Sequence, residues 1–133
     1  MESQSAPRFP YRRRHRLTKA REYAAARAGG TRKARGTLLV TLLPTDHAEH
    51  RLGLQVGKRI GNAVVRGRTK RLIREAFRLL RADLPVPTRG SYDVVVSARG
   101  RPASLDECMR DLQAAVRAAW REASKRARRR EDA

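Results

Sequence analysis

Cysteine, aromatic side chains, carboxylates and long apolar runs are all scarce in this 133-residue chain, and each shortage closes off a class of protein. The one cysteine, Cys108, has no partner for an internal disulfide, which excludes a disulfide-stapled scaffold and agrees with a reducing compartment. The longest apolar stretch, Leu38 to Leu43 within TLLVTLLP, falls far short of the ~20 residues of a membrane-spanning helix. The opening MESQSAPRFPYRRRHR has no apolar h-region, so no secretory signal is expected and the cytoplasm is the expected location. Carboxylates are few: 13 Asp and Glu face 32 Lys and Arg, giving a formal charge of +19. Such a chain repels itself and attracts phosphate-rich polymers at long range, so nucleic acid rather than a membrane is the expected partner.

What is present fits one modest core. Residues 1–16 are basic, Pro-containing and without apolar period, so they read as a flexible arm. LTKAREYAAARA predicts a short helix capped by Thr18 and stopped at Gly29-Gly30. GTLLVTLLP and RLGLQVG read as strands, expected to be antiparallel neighbours joined by the polar loop PTDHAEH. Asn62 is a good N-cap for a central helix ending near Arg81 to Leu84, before Pro85 and Pro87. SYDVVVSARG is a further strand. A last helix opens on Ser104-Leu105-Asp106-Glu107, where Ser104 and Glu107 are expected to satisfy each other's backbone N–H, and runs to about Lys125. The organisation expected is an arm (1–16), a single α+β domain (17–123) and a basic tail (124–133).

The segment Gly57 to Arg81 carries nine cations against one carboxylate, Glu75. At 100° per residue Val65, Leu72, Ile73, Ala76, Leu79 and Leu80 share one half of the helix wheel, and Lys70, Arg74, Arg78 and Arg81 lie opposite, flanked by Arg66 and Arg71. Exposed helices usually mix signs, because like charges four residues apart oppose folding. Arg66, Lys70, Arg74 and Arg78 instead form a like-charge ladder, which needs a polyanion to neutralise it. The helix start, with its free N–H groups beside Lys58 and Arg59, adds a second attraction for phosphate.

Chemistry of the chain's own is hard to find. Asp46, His47, Glu49 and His50 form a His-x-x-His cluster in a loop without cysteine or a second cluster, and read as solvated loop rather than metal ligands. His15 falls in the arm. Cys108 lies on the apolar stripe of the last helix and reads as a small core residue. No Gly-rich phosphate loop has the strand and spacing it would need.

GLQVGKRIGNAVVRGRTKRLIREAFRLL closely resembles the signature of the bacterial ribonuclease P protein component: a strand ending in a Lys-Arg pair, Gly-Asn-Ala-Val, an Arg-Asn-Arg motif, and a Lys-Arg-Leu-hydrophobic-Arg-Glu helix. RLTKAREYAAARAGG, SYDVVVSARG and SLDECMRDLQAAV resemble the flanking elements, so the similarity runs from about Arg12 to Trp120. The resemblance implies an α+β fold, a small mixed sheet with about three helices and a left-handed β-α-β crossover, like the second domain of ribosomal protein S5. Ordinary chirality would give the opposite hand.

It also implies a function. The protein would bind a catalytic RNA, and the ribonucleoprotein would remove the 5′ leader of precursor tRNA by hydrolysing one phosphodiester bond. The active site and its Mg2+ would lie mainly in the RNA, with one protein per RNA. Carried onto this chain, the residues facing the catalytic RNA would be Lys58, Arg59, Asn62, Arg66, Arg68, Lys70, Arg71 and Arg74, with Gly67 standing where the family usually has Asn. The leader would lie in a cleft lined by Tyr23, Arg27, Leu38 and Val40, with little sequence preference because aromatics are few. A ribosomal or RNA-chaperone protein shares the basic helix without the cleavage role. A protein-only nuclease would require the Asp46–His50 loop to bind metal.

Overall fold

The computed structural model describes residues 15–46, 49–85 and 90–132. Its order is α1 (Ala20–Gly29), β1 (Thr31–Arg35), β2 (Leu38–Thr45), β3 (Arg51–Gln55), a 3-10 turn (Lys58–Ile60), α2 (Ala63–Leu80), a second 3-10 turn (Arg81–Asp83), β4 (Ser91–Ala98) and α3 (Leu105–Asp132). The architecture is the expected α+β one, a four-stranded mixed sheet with three helices.

The strand order is β1-β2-β4-β3, with β2 antiparallel to both β1 and β4, and β3 parallel to β4. This corrects the expected β2–β3 pairing: β4 lies between them. Composition explains the choice. The Val94-Val95-Val96 run of β4 is buried throughout, and a strand apolar on both faces belongs in the middle of a sheet. β3 alternates Leu52 and Leu54 with Arg51 and Gln55, so it suits an edge. With α2 as the connection, β3 and β4 become a parallel pair. β1, a stretch for which no element was expected, is a five-residue edge strand carrying Arg32, Lys33 and Arg35, charges that discourage edge-to-edge association.

The sheet has two working faces. Leu38, Val40 and Leu42 of β2, Leu52 of β3, and Tyr92, Val94 and Val96 of β4 join Ile73, Ala76, Phe77 and Leu80 of α2 and Cys108, Leu112 and Val116 of α3 in the main core. Each large apolar side chain buried there contributes roughly 1.5–3 kcal/mol. The opposite face receives α1 through a smaller cluster of Leu17, Ala26 and Val95, with Tyr23 and Leu43 against it. Beneath Tyr23 lies Gly53, where an added Cβ would stand 2.8 Å from both Tyr23 Cε1 and Leu17 Cδ1. The absent side chain is what lets α1 approach the sheet.

Local signals are partly as expected. Asn62 caps α2, its side chain accepting from Val65 N–H at 3.0 Å, and Gly30 ends α1 with its N–H on the Ala26 carbonyl at 2.8 Å. Thr18 does not cap α1. Glu22, held by Arg51, reaches back to accept from the N–H groups of Thr18 and Lys19, both at 3.1 Å, and takes that role. Ser104 accepts from Glu107 N–H, but the Glu107 carboxylate takes the N–H of Ala103 rather than that of Ser104. α3 continues beyond Lys125 to Asp132. On α2, Phe77 and Thr69 are buried while Leu79 is partly exposed; Thr69 fits because its hydroxyl donates to the Val65 carbonyl at 2.9 Å.

Glu49 and His50 form a joint with distant parts of the chain. His15, which the reading placed in the arm, is 1% exposed and bonds Glu49 at 2.6 Å, and Arg81 donates to the same carboxylate at 2.6 Å. His50 Nδ1 accepts from Tyr92 N–H at 3.2 Å, and its ring stacks on Tyr92 with centroids 3.8 Å apart. His47 lies outside the described residues, as do residues 1–14 of the expected arm.

Candidate nucleic-acid interface

The polar side of α2 begins at a braced turn. Gly61 has φ +155°, and an added Cβ would stand 2.8 Å from Val65 Cβ and 3.0 Å from an Arg101 guanidinium nitrogen. A glycine is required for this turn. Arg101 Nε donates to the Ile60 carbonyl at 2.6 Å, Arg66 Nε to the Gly61 carbonyl at 3.2 Å, and an Arg68 terminal nitrogen to the Ala103 carbonyl at 3.3 Å. The loop after β4 thereby fixes the start of α2 and aims its cations.

Lys58, Arg59, Asn62, Arg68 and Arg71 are exposed, and Arg66, Lys70 and Arg74 are half-buried along the same helix. Gly67 opens no void: a Cβ there would meet only the Arg71 side chain, at 3.5 Å. Among the described residues, Lys58, Arg59, Arg66, Arg68, Lys70, Arg71 and Arg74 have no carboxylate within ion-pair distance. Arg78 does: Glu75 receives two of its N–H groups at 2.8 and 2.7 Å, and that bonding holds the Glu75 carboxyl below its usual range. Arg81 is taken by Glu49. The ladder left for a partner is therefore Arg66, Lys70 and Arg74, three rungs rather than four.

Among the described residues, two concavities adjoin this face. One, of about 460 Å³, is lined by Arg59, Ile60, Arg99, Gly100 and Arg101. The other, of about 230 Å³, brings Lys70 and Arg74 to Arg16, Leu17, Tyr23, Leu52 and Leu54. Arg16, Arg99 and Arg101 were not singled out from sequence. The pair in SARGRPA, just past a strand facing the basic helix, was the available signal.

The second surface lies on the α1 side of the sheet. Tyr23 is half-buried, donates to the Leu17 carbonyl at 3.4 Å and accepts from Leu54 N–H at 3.2 Å, so its ring is anchored beside the edge of β3. Arg27 is exposed in the last turn of α1. Leu38 and Val40 do not line this surface: both are 0% exposed in the core under α2 and α3. The reason is the two-residue alternation of a strand, which sends Leu39 and Thr41 to the α1 side. Thr41 is buried. The register places Leu39 opposite Ser97 and Ser97 opposite Gln55, and these three form the partly open floor.

Among the described residues no three His, Cys, Asp or Glu side chains converge as a metal site. Several acids near the interface are committed: Asp93 and Glu22 to Arg51, Glu75 to Arg78, Glu107 to Ala103 N–H. Burial pushes the Cys108 thiol up to about 11, which leaves it a core residue.

Fold and surfaces together define a class: an α+β protein with a cationic helix packed beside a partly open sheet face. The sequence model of ribonuclease P matches residues 11–124. The ribonuclease P protein component of Caldanaerobacter subterraneus subsp. tengcongensis is 38% identical over 91 residues, covering 68% of this chain and 75% of that protein. That of Shouchella clausii is 38% identical over 105 residues, covering 77% and 83%. Among solved structures, the ribonuclease P protein of Staphylococcus aureus superposes with a TM-score of 0.67 at 27% identity, covering 79% of this chain and 94% of that one. The Thermotoga maritima protein shares the fold, with a TM-score of 0.64 at 23% identity over 73% and 90% of the two chains. The chain belongs to the ribonuclease P protein family. It is the protein subunit of a ribonucleoprotein ribonuclease in tRNA processing.

Proposed function

We propose that Lys58, Arg59, Asn62, Arg66, Arg68, Lys70, Arg71 and Arg74 bind the catalytic RNA of ribonuclease P, one protein per RNA, in the cytoplasm. The 5′ leader of precursor tRNA then lies on the sheet face beside α1, against Tyr23, Arg27, Leu39, Ser97 and Gln55. The observation that carries this reading is the Arg66–Lys70–Arg74 ladder, half-buried along one helix and without a carboxylate partner. Like charges at four-residue spacing destabilise a helix, and RNA phosphates relieve that cost while releasing counterions. Asn62 spends its carbonyl oxygen on the cap and offers only its amide N–H groups to RNA.

In this reading the protein binds and orients, and phosphodiester hydrolysis takes place at the RNA. The interface does not fit a magnesium site, because its side chains are cations and, among the described residues, no three His, Cys, Asp or Glu side chains converge. Mg2+ is accordingly assigned to the RNA, and no step is routed through the protein. The test is precursor tRNA cleavage at limiting Mg2+ by a bacterial ribonuclease P RNA, with and without this chain. Mature 5′ ends that appear only with both components support the reading. Tight binding with no change in cleavage refutes it.

A further inference from the structure

The last three turns of α3 hold a cationic surface that neither the α2 face nor the sheet face uses. From Arg121 to Arg130 the helix carries Arg121, Lys125, Arg126, Arg128, Arg129 and Arg130 against one carboxylate, Glu122. Glu122 is shared at 3.9 Å between Lys33 and Arg126. Among the described residues none beyond Ala119 is buried, so these turns draw little support from the core, and a helical stretch of this length is marginal in water without such support. Arg121, Lys125 and Arg129 repeat at four-residue steps, as do Arg126 and Arg130, and like charges so spaced oppose the helix. The stretch resists explanation as a folding element. The family match ends at residue 124, so most of this surface lies outside what defines the family.

Two contacts fix its placement. Arg126 donates to Thr31 Oγ1 at 3.4 Å, and Arg126 and Arg130 line a shallow cavity of about 100 Å³ with Gly29, Thr31 and Pro44. The inner side of the helix end is thus seated on the start of β1, and Lys125, Arg128 and Arg129 are left exposed. The beginning of α3 adjoins Arg68 through Ala103. At 1.5 Å per residue, Lys125 lies about 30 Å along the helix from that point, too far for one phosphate group to serve both.

We propose that the end of α3 is a second, independent RNA-backbone contact, which docks Lys125, Arg128 and Arg129 on the phosphates of a duplex segment remote from the one bound by α2. The inference rests on the RNA-binding reading above. It carries no base specificity, because the deep, narrow major groove of an RNA duplex keeps side chains from the base edges; the exposed Glu131 and Asp132 lie beyond the three cations at the helix end.

The test uses the full chain with Lys125→Gln, Arg128→Gln and Arg129→Gln together, beside a charge-matched control in which exposed Arg21, Arg110 and Arg117 are changed to Gln. Gln keeps helix propensity. Dissociation constants for a 20-base-pair RNA duplex and for a ribonuclease P RNA are measured by fluorescence anisotropy across a KCl series. The expected result is that the slope of log affinity against log salt falls by about 2 in the helix-end variant and by less than about 1 in the control. Equal slopes in the two variants overturn the proposal. So does loss of binding to phosphatidylglycerol vesicles with RNA slopes unchanged, which makes the patch a membrane contact. Stimulation of cleavage by the unaltered chain is scored separately: its failure removes the subunit reading, and the duplex measurement still decides the helix end.

Discussion

His50 should make the stability of this protein depend on pH in a window where few other groups titrate. Its ring is 8% exposed, stacked on Tyr92, and its Nδ1 accepts from the Tyr92 N–H, a geometry that only the neutral imidazole can hold. Burial, with the Arg81 charge adding to it, lowers its pKa from 6.5 to about 4. The unfolded chain therefore binds a proton that the folded one refuses between those values, so stability is complete above pH 6.5 and drains away as pH falls towards 4. At 1.36 kcal/mol per unit the full effect is about 3 kcal/mol, of which about 2.5 is spent by pH 4.5. Urea unfolding at half-unit steps from pH 7.5 to 4.5, for the natural chain and for His50→Gln, isolates it, since Glu22, Glu75 and the other carboxylates are common to both. The natural chain should lose about 2.5 kcal/mol more than the variant across the series. Parallel profiles would refute the assignment of a buried neutral imidazole.

Arg66→Ala and Arg68→Ala should each lower the salt slope of RNA binding by about 1 and leave far-UV circular dichroism unchanged; lost helicity would make both residues structural. Gly53→Ala places a methyl group against Tyr23 and Leu17, a clash of typically 1–3 kcal/mol that the stiffer unfolded chain offsets by under about 1 kcal/mol. Thermal unfolding should show a net loss, and an unchanged midpoint would mean that α1 has room to move. Arg51→Ala strands Asp93, which is 3% exposed, and should cost about 3 kcal/mol. Adding Asp93→Asn should recover part of that, and no recovery would show that the packing of Arg51, not its charge, matters.

Much of this arrangement is legible in the sequence because it is local. The Asn62 cap, the Gly29-Gly30 stop and the basic side of α2 depend on neighbours within four residues, and the structure places them as read. Pairing is not local. The hydrophobic content of β2 and β3 says that they are strands but not that β4 separates them, and the burial of Val95 opposite Val94 and Val96 is the only hint of its central place. The error at Leu38 and Val40 has the same origin: alternation divides a strand into two sides, and only the sheet decides which of them meets α1. Arg78 looked free because Glu75 was counted only as the one acid of a basic segment, and Arg81 because its partner Glu49 was weighed as a metal ligand. His15 looked free because Glu49 lies 34 positions away.

The sheet order also shapes how the chain acquires its fold during synthesis. β2 and β3 emerge first and are separated by a short loop, so the hairpin suggested by their sequences is the pairing available to them. In the finished protein that site beside β2 belongs to β4, whose register matches Leu38 with Ala98 and Thr45 with Ser91. Until residue 98 has left the ribosome, the edge of β2 away from β1 has no native occupant, and any β2–β3 hairpin formed earlier has to open before β4 can enter. Pairings so distant in sequence form slowly. The cations of α2 are thus synthesised before the strand that completes the sheet beneath their helix.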